Sequence, residues 1–427
     1  MAARPIQTKD QLRLTVERTV QFIPASDVCT YVYPEAFGGL SHWGIDTLLT
    51  DSALIDELQR CRPDWSDARS GEFTVREQAD AVWTALFRDR IPYSEACRSV
   101  LSVLQRLGLD TRSRDLQAYR SFFSGIQASD YTDLIFKLSG VTTVCMTNDP
   151  FSDDERQAWE QVDQLDPRFN TSLRIDKLLN AWDTASARLR AWGYDVDAAL
   201  NGKTYREIRG FLKYWIARMN PLYLSAALPA DLADREMTAR AQLIEQCVLP
   251  VAGEANIPLA LLIESGHPSS SALGQAVRRP GQSALSVVEA LCAAHPEHKF
   301  MCSLGPDGEQ GRLTLLGRQY RNLHLIGSCC EAGVPGSIEE TVSRRLELLG
   351  ADVTPWYSGG RSLEWLLYKW DQSRAMAGKV LYDKYSGLMD TGWRLTEDEI
   401  GKDVAGLFGE SFWTFLGRPN PATAFKA

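Results

Sequence analysis

Two tyrosines lie close together in a short β-rich stretch near the start of the chain. Tyr31 and Tyr33 belong to an apolar, β-branched run at residues 28–33, which Pro34 ends. If this run is a strand, the alternation of side chains places both phenols on one face. A phenol can donate a hydrogen bond to an oxygen that gains negative charge during a reaction. The alternative is that the Tyr31 ring only fills a cavity in the core. The sequence leaves both interpretations open.

Two arginines follow predicted strands and could bind an anionic group. Arg174 comes two residues before Asp176, and Arg361 follows the pair Gly359-Gly360. A planar guanidinium can grip a carboxylate through two parallel hydrogen bonds, and glycines let the backbone approach a ligand closely. The alternatives are an internal Arg174–Asp176 ion pair that holds a loop, and a glycine pair that only fills space. We favour ligand binding for both arginines because each lies at the end of a predicted strand.

A carboxylate and an imidazole three residues apart follow another apolar run. Glu264 and His267 come at and just after residues 258–264, in a stretch that continues with Gly266 and serines. Such a pair could share a proton and act as base and acid. The same loop composition could leave both groups in solvent, where no pKa is perturbed. The candidate catalytic residues are Tyr31, Glu264 and His267, and the candidate substrate-binding residues are Tyr33, Arg174, Asp176 and Arg361.

These candidates share a position at the carboxyl ends of predicted strands. Short β-rich runs alternate with amphipathic helical runs along most of the chain, which predicts a (β/α)8 TIM-type barrel. An open doubly wound sheet is the alternative, but no Gly-x-Gly-x-x-Gly follows a strand. In a barrel of this kind the active site lies where the strands end. The eight predicted strands are residues 28–33, 141–147, 172–175, 222–228, 258–264, 299–304, 323–327 and 353–357.

The pattern divides the chain into four parts. Residues 1–34 are a lead-in with the first strand, and residues 35–139 form a long helical insertion. In that insertion, residues 76–87 place their apolar side chains on one helical face. Residues 140–361 complete the barrel, and residues 362–427 form C-terminal helices that pack on it.

Composition excludes several classes of function. The 427 residues carry a net charge of −9 without a basic block, which argues against nucleic acid or an anionic membrane as partner. No apolar run reaches the roughly 18 residues of a membrane helix, and the N-terminus lacks the apolar core of a secretory signal. Nine irregularly spaced cysteines do not suggest a disulfide framework, so we expect a reducing cytoplasm. The sequence leaves a homo-oligomer open.

Several segments resemble the uronate isomerase family of the amidohydrolase superfamily. That family has H-T-H-L-Y-P at the first strand and then W-G-I-D-x-L-L-T. Here the same frame reads Cys29-Thr30-Tyr31-Val32-Tyr33-Pro34 and then Trp43-Gly44-Ile45-Asp46. Further colinear matches are specific for the fold and less so for the chemistry. They include Met146-Thr147-Asn148-Asp149-Pro150-Phe151, Leu173-Arg174-Ile175-Asp176, Arg218-Met219-Asn220-Pro221 and Arg344-Arg345-Leu346-Glu347-Leu348-Leu349-Gly350.

The resemblance implies a divalent metal, but the residues that would hold it are different here. The histidine pair of the family's first strand aligns with Cys29 and Tyr31, and the aspartate of its eighth strand aligns with Gly359. A histidine-tyrosine pair that follows strand one in the family falls near Asp51 and Ser52. A catalytic metal needs about three well-placed protein donors. We therefore predict a metal-independent protein without a cofactor.

A new thiolate site is the alternative to losing the metal. Of five histidines in the chain, only His267 follows a predicted strand end. It could combine with Cys29, Cys329 or Cys330. Free cysteines are among the most buried residue types, so we favour small, inert core residues instead.

Two functions from different classes fit these features. The first is a metal-independent isomerase or lyase that performs acid–base chemistry on a small, anionic, hydroxylated carboxylate. The second is a non-catalytic uronate-isomerase-like protein that binds a ligand or a partner. We favour the enzyme, because the polar strand ends are retained. A buried, desolvated Glu264 or His267 in a pocket lined by Arg174 and Arg361 would support the enzyme. A pocket filled by Tyr31 and other side chains would support the binding protein.

Overall fold

The computed structural model describes residues 5–65, 73–229, 231–232, 234–263, 282–305, 309–327 and 335–422. The predicted catalytic residues Glu264 and His267, and the pair Cys329-Cys330, lie outside these residues. No helix within the described ranges is both long and apolar enough to cross a membrane.

A curled parallel sheet of seven strands forms the centre of the molecule, and its strands follow one another in chain order. Parallel neighbours need a crossover connection, and helices supply it between successive strands. The strands are β1 (Ala25–Thr30), β2 (Val141–Asn148), β3 (Phe169–Arg174), β4 (Leu224–Leu228), β5 (Leu259–Ile263), β6 (Phe300–Leu304) and β7 (Leu323–Leu325). A separate two-stranded antiparallel pair joins Asp231–Leu232 to Gln282–Ser283.

The predicted eighth strand contributes a single bridge rather than a ladder. Ile326 and Thr354 form one parallel bridge, and the backbone N–H of Gly327 donates to the Thr354 carbonyl at 2.7 Å. Pro355, the next residue, has no N–H to donate to a ladder. Further along, Gly359 N donates to Cys29 O at 3.1 Å and Tyr31 N to Gly360 O at 2.8 Å. Residues 354–360 thus hydrogen-bond to β7 on one side and to β1 and its extension on the other.

Strand β1 begins three residues earlier than the sequence suggests, so Tyr31 and Tyr33 follow it. The reason is a buried carboxylate, Asp27, inside the strand. It accepts hydrogen bonds from Ser358 N at 3.1 Å and from Trp370 Nε1 at 3.1 Å. Burial raises the pKa of Asp27, and these donors oppose that rise. Asp27 thereby ties β1 to residues 354–360 and to a C-terminal helix.

Helices make up the rest of the described chain. A lead-in helix comes first, α1 (Lys9–Phe22). The predicted insertion holds α2 (Ile45–Leu49), α3 (Ser52–Cys61), α4 (Val75–Val82), α5 (Glu95–Arg106), α6 (Leu116–Ser124) and α7 (Ala128–Ser139), with 3-10 turns at Glu35–Leu40 and Pro63–Trp65 and a π turn at Trp83–Arg88.

The helices between strands are α8 (Asp153–Gln161), α9 (Asp176–Asn180), α10 (Trp182–Ala191), α11 (Gly202–Met219), α12 (Asp234–Leu243), α13 (Leu249–Ala255), α14 (Ala284–Ala294), α15 (Gln310–Gln319) and α16 (Pro335–Leu349). A π turn, Ile244–Val248, joins α12 to α13. The C-terminal helices are α17 (Glu364–Asp390), α18 (Glu397–Ala405) and α19 (Ser411–Leu416), with a π turn at Gly406–Glu410.

Helix α19 packs against the amino ends of the strands. Phe412 and Trp413 belong to the same buried cluster as Val28 and Met301 of the strands. The indole Nε1 of Trp413 donates to Ser26 Oγ at 2.9 Å. This end of the sheet is therefore covered, and the carboxyl ends of the strands are left for a site.

Candidate active site at the carboxyl ends of the strands

Two arginines lie close to one tyrosine ring just beyond the strand ends. The guanidinium carbon of Arg174 lies 5.9 Å from the centroid of the Tyr31 ring, and that of Arg361 lies 5.6 Å from it. Arg174 is the last residue of β3, and Arg361 follows the segment that hydrogen-bonds to β1. These cations are attracted by the ring face. Three predicted site residues, far apart in sequence, therefore lie together.

Asp176 orients Arg174. Its Oδ2 pairs with Arg174 Nε, and its Oδ1 accepts the backbone N–H of Ala227 at 2.5 Å. Burial raises the pKa of Asp176, and the Arg174 charge opposes that rise. The internal ion pair considered from the sequence is present. The contact with Asp176 is made through the Nε of Arg174.

Arg361 lines a small cavity together with three other charged residues, Lys369, Asp51 and Glu95. Lys369, a buried residue of α17, lies across it with its Nζ 3.7 Å from Glu95 Oε1. Burial raises the pKa of Asp51, and the charges of Lys369 and Arg361 oppose that rise. The cavity is lined by Asp51, Ser52, Ala53, Glu95, Ala96, Ser358, Gly359, Gly360, Arg361, Trp365 and Lys369.

Tyr33 is buried and held within the protein. Its hydroxyl donates to the Thr147 carbonyl at 2.9 Å, and its ring stacks on Phe37 with centroids 5.5 Å apart. Burial raises the pKa of Tyr33 well above its ordinary value. Tyr31 is only partly buried, and whether its ring acts on a substrate or fills the site stays open. A substrate-binding role for Tyr33 stays a prediction.

Three residues, Cys29, Tyr31 and Gly359, lie where the resemblance places the family's metal ligands, and their side chains are poor ligands for a divalent ion. Cys29 is a buried thiol whose Sγ lies 3.6 Å from Thr147 Oγ1. Burial raises the pKa of this thiol to about 11, so it is protonated at neutral pH in the metal-free protein. Tyr31 offers a phenol beside two cations, and Gly359 has no side chain. In the described ranges, the one group of His, Cys and acidic side chains close enough to share an ion is His295, Glu297 and His298.

Glu155 is a partly buried carboxyl group near the site that the sequence analysis missed. Its Oε2 accepts Asp149 N at 2.9 Å and Asn148 Nδ2 at 3.4 Å. Burial raises the pKa of Glu155 to about 7, against these hydrogen bonds. The spacing Ser152-x-x-Glu155 is typical of a capping box at the start of a helix. In the sequence, Glu155 is therefore interpreted as a helix-capping residue and not as a buried carboxyl group. Lys369, from another part of the chain, was missed as well, and Asp51 was noted only as the place where the family's histidine-tyrosine pair falls.

We expect Glu155→Gln to change how folding stability depends on pH. The folded state holds the Glu155 proton up to about pH 7, whereas the unfolded carboxyl titrates near 4.5. This contribution to the free energy of unfolding is complete below pH 4.5 and is lost as the pH rises through 7, by about 3 kcal/mol in total. Urea unfolding at about pH 5 and about pH 7.5 measures the loss.

The variant should lack this decline. Glu160→Gln is the matched control, because Glu160 lies on the same helix with 63% of its side chain exposed. It should keep the wild-type pH dependence. An equal decline in Glu155→Gln and the wild-type chain would contradict the prediction.

Solved structures place the chain in a family, although neither a family profile nor a curated protein matches it. A uronate isomerase from Bacillus halodurans is 38% identical with a TM-score of 0.92, over 99% of this chain and 100% of that one. A uronate isomerase from Thermotoga maritima is 14% identical with a TM-score of 0.72, over 96% and 99% of the two chains. A glucuronate isomerase from Caulobacter crescentus is 13% identical with a TM-score of 0.61, over 98% and 99%. The last two share only the fold. The identity to the first structure, over nearly all of both chains, shows that this chain belongs to the uronate isomerase family.

Proposed function

We propose that this protein is a metal-independent isomerase or lyase that acts on a small hydroxylated carboxylate such as a uronate. The observation that carries the proposal is the placement of both Arg174 and Arg361 within 6 Å of the Tyr31 ring. One guanidinium is enough to bind a carboxylate. A second cation beside the same phenol suits an anionic substrate that also carries polarised oxygens.

Some residues of the candidate site bind the substrate, and others take part in the reaction. Arg361 or Arg174 binds the carboxylate in a bidentate fork, and Asp176 keeps Arg174 oriented. The Tyr31 hydroxyl donates to the oxygen that gains charge when a proton leaves the neighbouring carbon. The proton then returns to an adjacent carbon, as in an isomerase, or a hydroxyl leaves, as in a lyase. Glu264 and His267 remain the proposed acid and base, and the pKa of Glu155, about 7, suits the same work.

We also infer that residues 354–360 complete a barrel of eight segments. Their hydrogen bonds reach β7 at Gly327 and Leu325 and the β1 side at Cys29 and Tyr31. This closure brings Arg361 next to Tyr31. The proposed helical insertion, residues 35–139, then supplies Asp51 and Glu95 from outside the barrel.

Exchange of substrate hydrogen with solvent tests the chemistry without assuming a product. Chelator-treated protein in D2O with D-glucuronate, followed by proton NMR, should lose the signal of one carbon-bound hydrogen next to a carbonyl or carboxylate. A Tyr31→Phe variant keeps the ring beside the arginines but removes the hydroxyl, and it should lose most of this exchange. Loss of one donor to a developing oxyanion typically lowers the rate about 10²–10³-fold.

Three outcomes decide between the proposals. Exchange that survives chelation supports the enzyme. Exchange that disappears on chelation without a change in melting temperature, and returns with added zinc or manganese, overturns metal independence. Saturable binding of uronates without exchange of any hydrogen favours the non-catalytic alternative.

A further inference from the structure

A cluster of two histidines and a glutamate lies at the other end of the sheet from the candidate active site. It occupies the connection from α14 to the start of β6. One nitrogen of His295, one of His298 and a carboxylate oxygen of Glu297 all lie within 4.8 Å of one another. Strand β6 has five residues, so the cluster is about 16 Å from the strand's carboxyl end. It is therefore separate from the proposed catalytic residues.

The hydrogen bonds of both rings fix where their lone pairs point. The Nε2 of His298 lies 3.0 Å from the Leu249 carbonyl, and the Nε2 of His295 lies 2.9 Å from Glu245 Oε1. A carbonyl and a carboxylate can only accept, so each Nε2 carries the proton. In the neutral rings each Nδ1 is then an unprotonated donor of an electron pair. Metal-binding histidines are oriented by this same arrangement, in which the far nitrogen donates to a carbonyl or a carboxylate.

Both Nδ1 atoms face the same carboxylate oxygen. Glu297 Oε1 lies 2.9 Å from His298 Nδ1 and 3.7 Å from His295 Nδ1. A lone pair 2.9 Å from a carboxylate oxygen is repelled unless a proton or a metal cation lies between them. Two ligands of a tetrahedral zinc ion at 2.0–2.1 Å are about 3.4 Å apart, which falls between these two distances.

We propose that His295, Glu297 and His298 bind a divalent transition metal such as zinc, with water in the fourth position. Two imidazoles and a carboxylate are donors that zinc accepts readily. The histidines are largely buried, with 20% and 19% of their side chains exposed, and Glu297 is 63% exposed. An ion can therefore enter from solvent past Glu297 and meet two rings that are already held.

Helix α13 is built to accept the His298 ring. A Cβ at Gly253 would lie 3.0 Å from His298 Nε2, so a larger residue there would press on the ring that donates to Leu249. The metal would tie three segments together: the π turn through Glu245, α13 through Leu249, and the connection into β6. The role of the metal is thus structural: it would hold these three segments together at the amino end of the sheet.

Titration of untagged, chelator-treated protein with zinc chloride, followed by calorimetry, tests the site. We expect about one strongly bound zinc per chain in the wild-type protein. His295→Ala and His298→Ala should each weaken the affinity at least about tenfold. Glu245→Gln, which only orients His295, should weaken it about 10- to 100-fold. Zinc should raise the melting temperature of the wild-type protein but not of the double variant His295→Ala/His298→Ala.

His42→Ala is the matched control, because His42 lies in the insertion and outside the cluster; it should bind zinc like the wild-type chain. Cobalt in place of zinc should give a tetrahedral absorption spectrum that His298→Ala abolishes. No zinc binding would overturn the proposal and assign a proton to the space between His298 and Glu297. Binding that survives in the double variant would overturn it too, since the ion would then lie elsewhere.

Discussion

Replacing Arg361 by Met is expected to weaken binding of D-glucuronate by about ten- to a hundredfold. A bidentate, charge-assisted contact to a carboxylate contributes about 1.5–3 kcal/mol, and each 1.4 kcal/mol changes the dissociation constant tenfold. Arg174→Met should have a similar effect, because Arg174 lies beside the same Tyr31 ring. Methionine keeps much of the length of the side chain and removes its charge and its donors. Equilibrium binding by calorimetry measures the loss.

Two further variants distinguish an effect at the candidate site from an effect of changing the net charge of the protein. Arg112→Met removes an arginine whose side chain is 90% exposed and which pairs with Asp110 in the insertion; it should bind like the wild-type chain. Arg361→Lys keeps the charge but not the planar fork, so it should recover only part of the affinity. If Arg361→Met and Arg112→Met bind glucuronate equally well, the arginine pair does not hold the carboxylate.

Gly327→Ala is expected to lower the free energy of unfolding by about 3 kcal/mol or more, at the upper end of overpacking changes. A Cβ at this position would lie 2.0 Å from the Pro355 carbonyl oxygen and 2.9 Å from Trp356 N. Both are backbone atoms that cannot swing away like a flexible side chain. The new methyl group would push residues 354–360 off β7 and break the Gly327–Thr354 hydrogen bond.

Urea unfolding measures this change, and Gly210→Ala is its control. Gly210 lies within α11, and a Cβ there meets nothing within 4 Å. Alanine is the better helix former by about 0.5–1 kcal/mol, so this variant should be slightly more stable than the wild-type chain. Equal stability of Gly327→Ala and the wild-type chain would mean that the contact between β7 and residues 354–360 relaxes freely.

The strands of the sheet could be predicted well because their residues are apolar, β-branched and regularly separated by helices. The beginning of β1 was harder to predict, since Ser26 and Asp27 are polar residues in a buried strand. Asp27 is stabilised there by hydrogen bonds from Ser358 and Trp370. These donors are far away in sequence, so no local pattern predicts them. The eighth strand was predicted from composition, yet Pro355 and the close approach at Gly327 leave only one bridge.

The arginines of the candidate site could be predicted because strand ends meet at one face, whatever their separation in sequence. That rule selected Arg174, Arg361 and Tyr31, and the three residues lie close together in the structure. It could not select Lys369, which comes from α17, or Asp51, which caps α3. Their positions depend on how the outer helices pack against the sheet, and tertiary packing of this kind leaves no periodic signal.

The contact between Trp413 and Ser26 has a consequence for how the protein is made. These partners are 387 residues apart, and Asp27 and Ser358 are 331 apart. A ribosome that adds about 5–20 residues per second needs roughly 20 s or more to produce the second partner after the first. During that time β1 has only β2 beside it, and its other edge is unpaired. Such an edge is a target for pairing with other chains, so we expect the nascent protein to depend on chaperones until residues 354–360 emerge and pair with it.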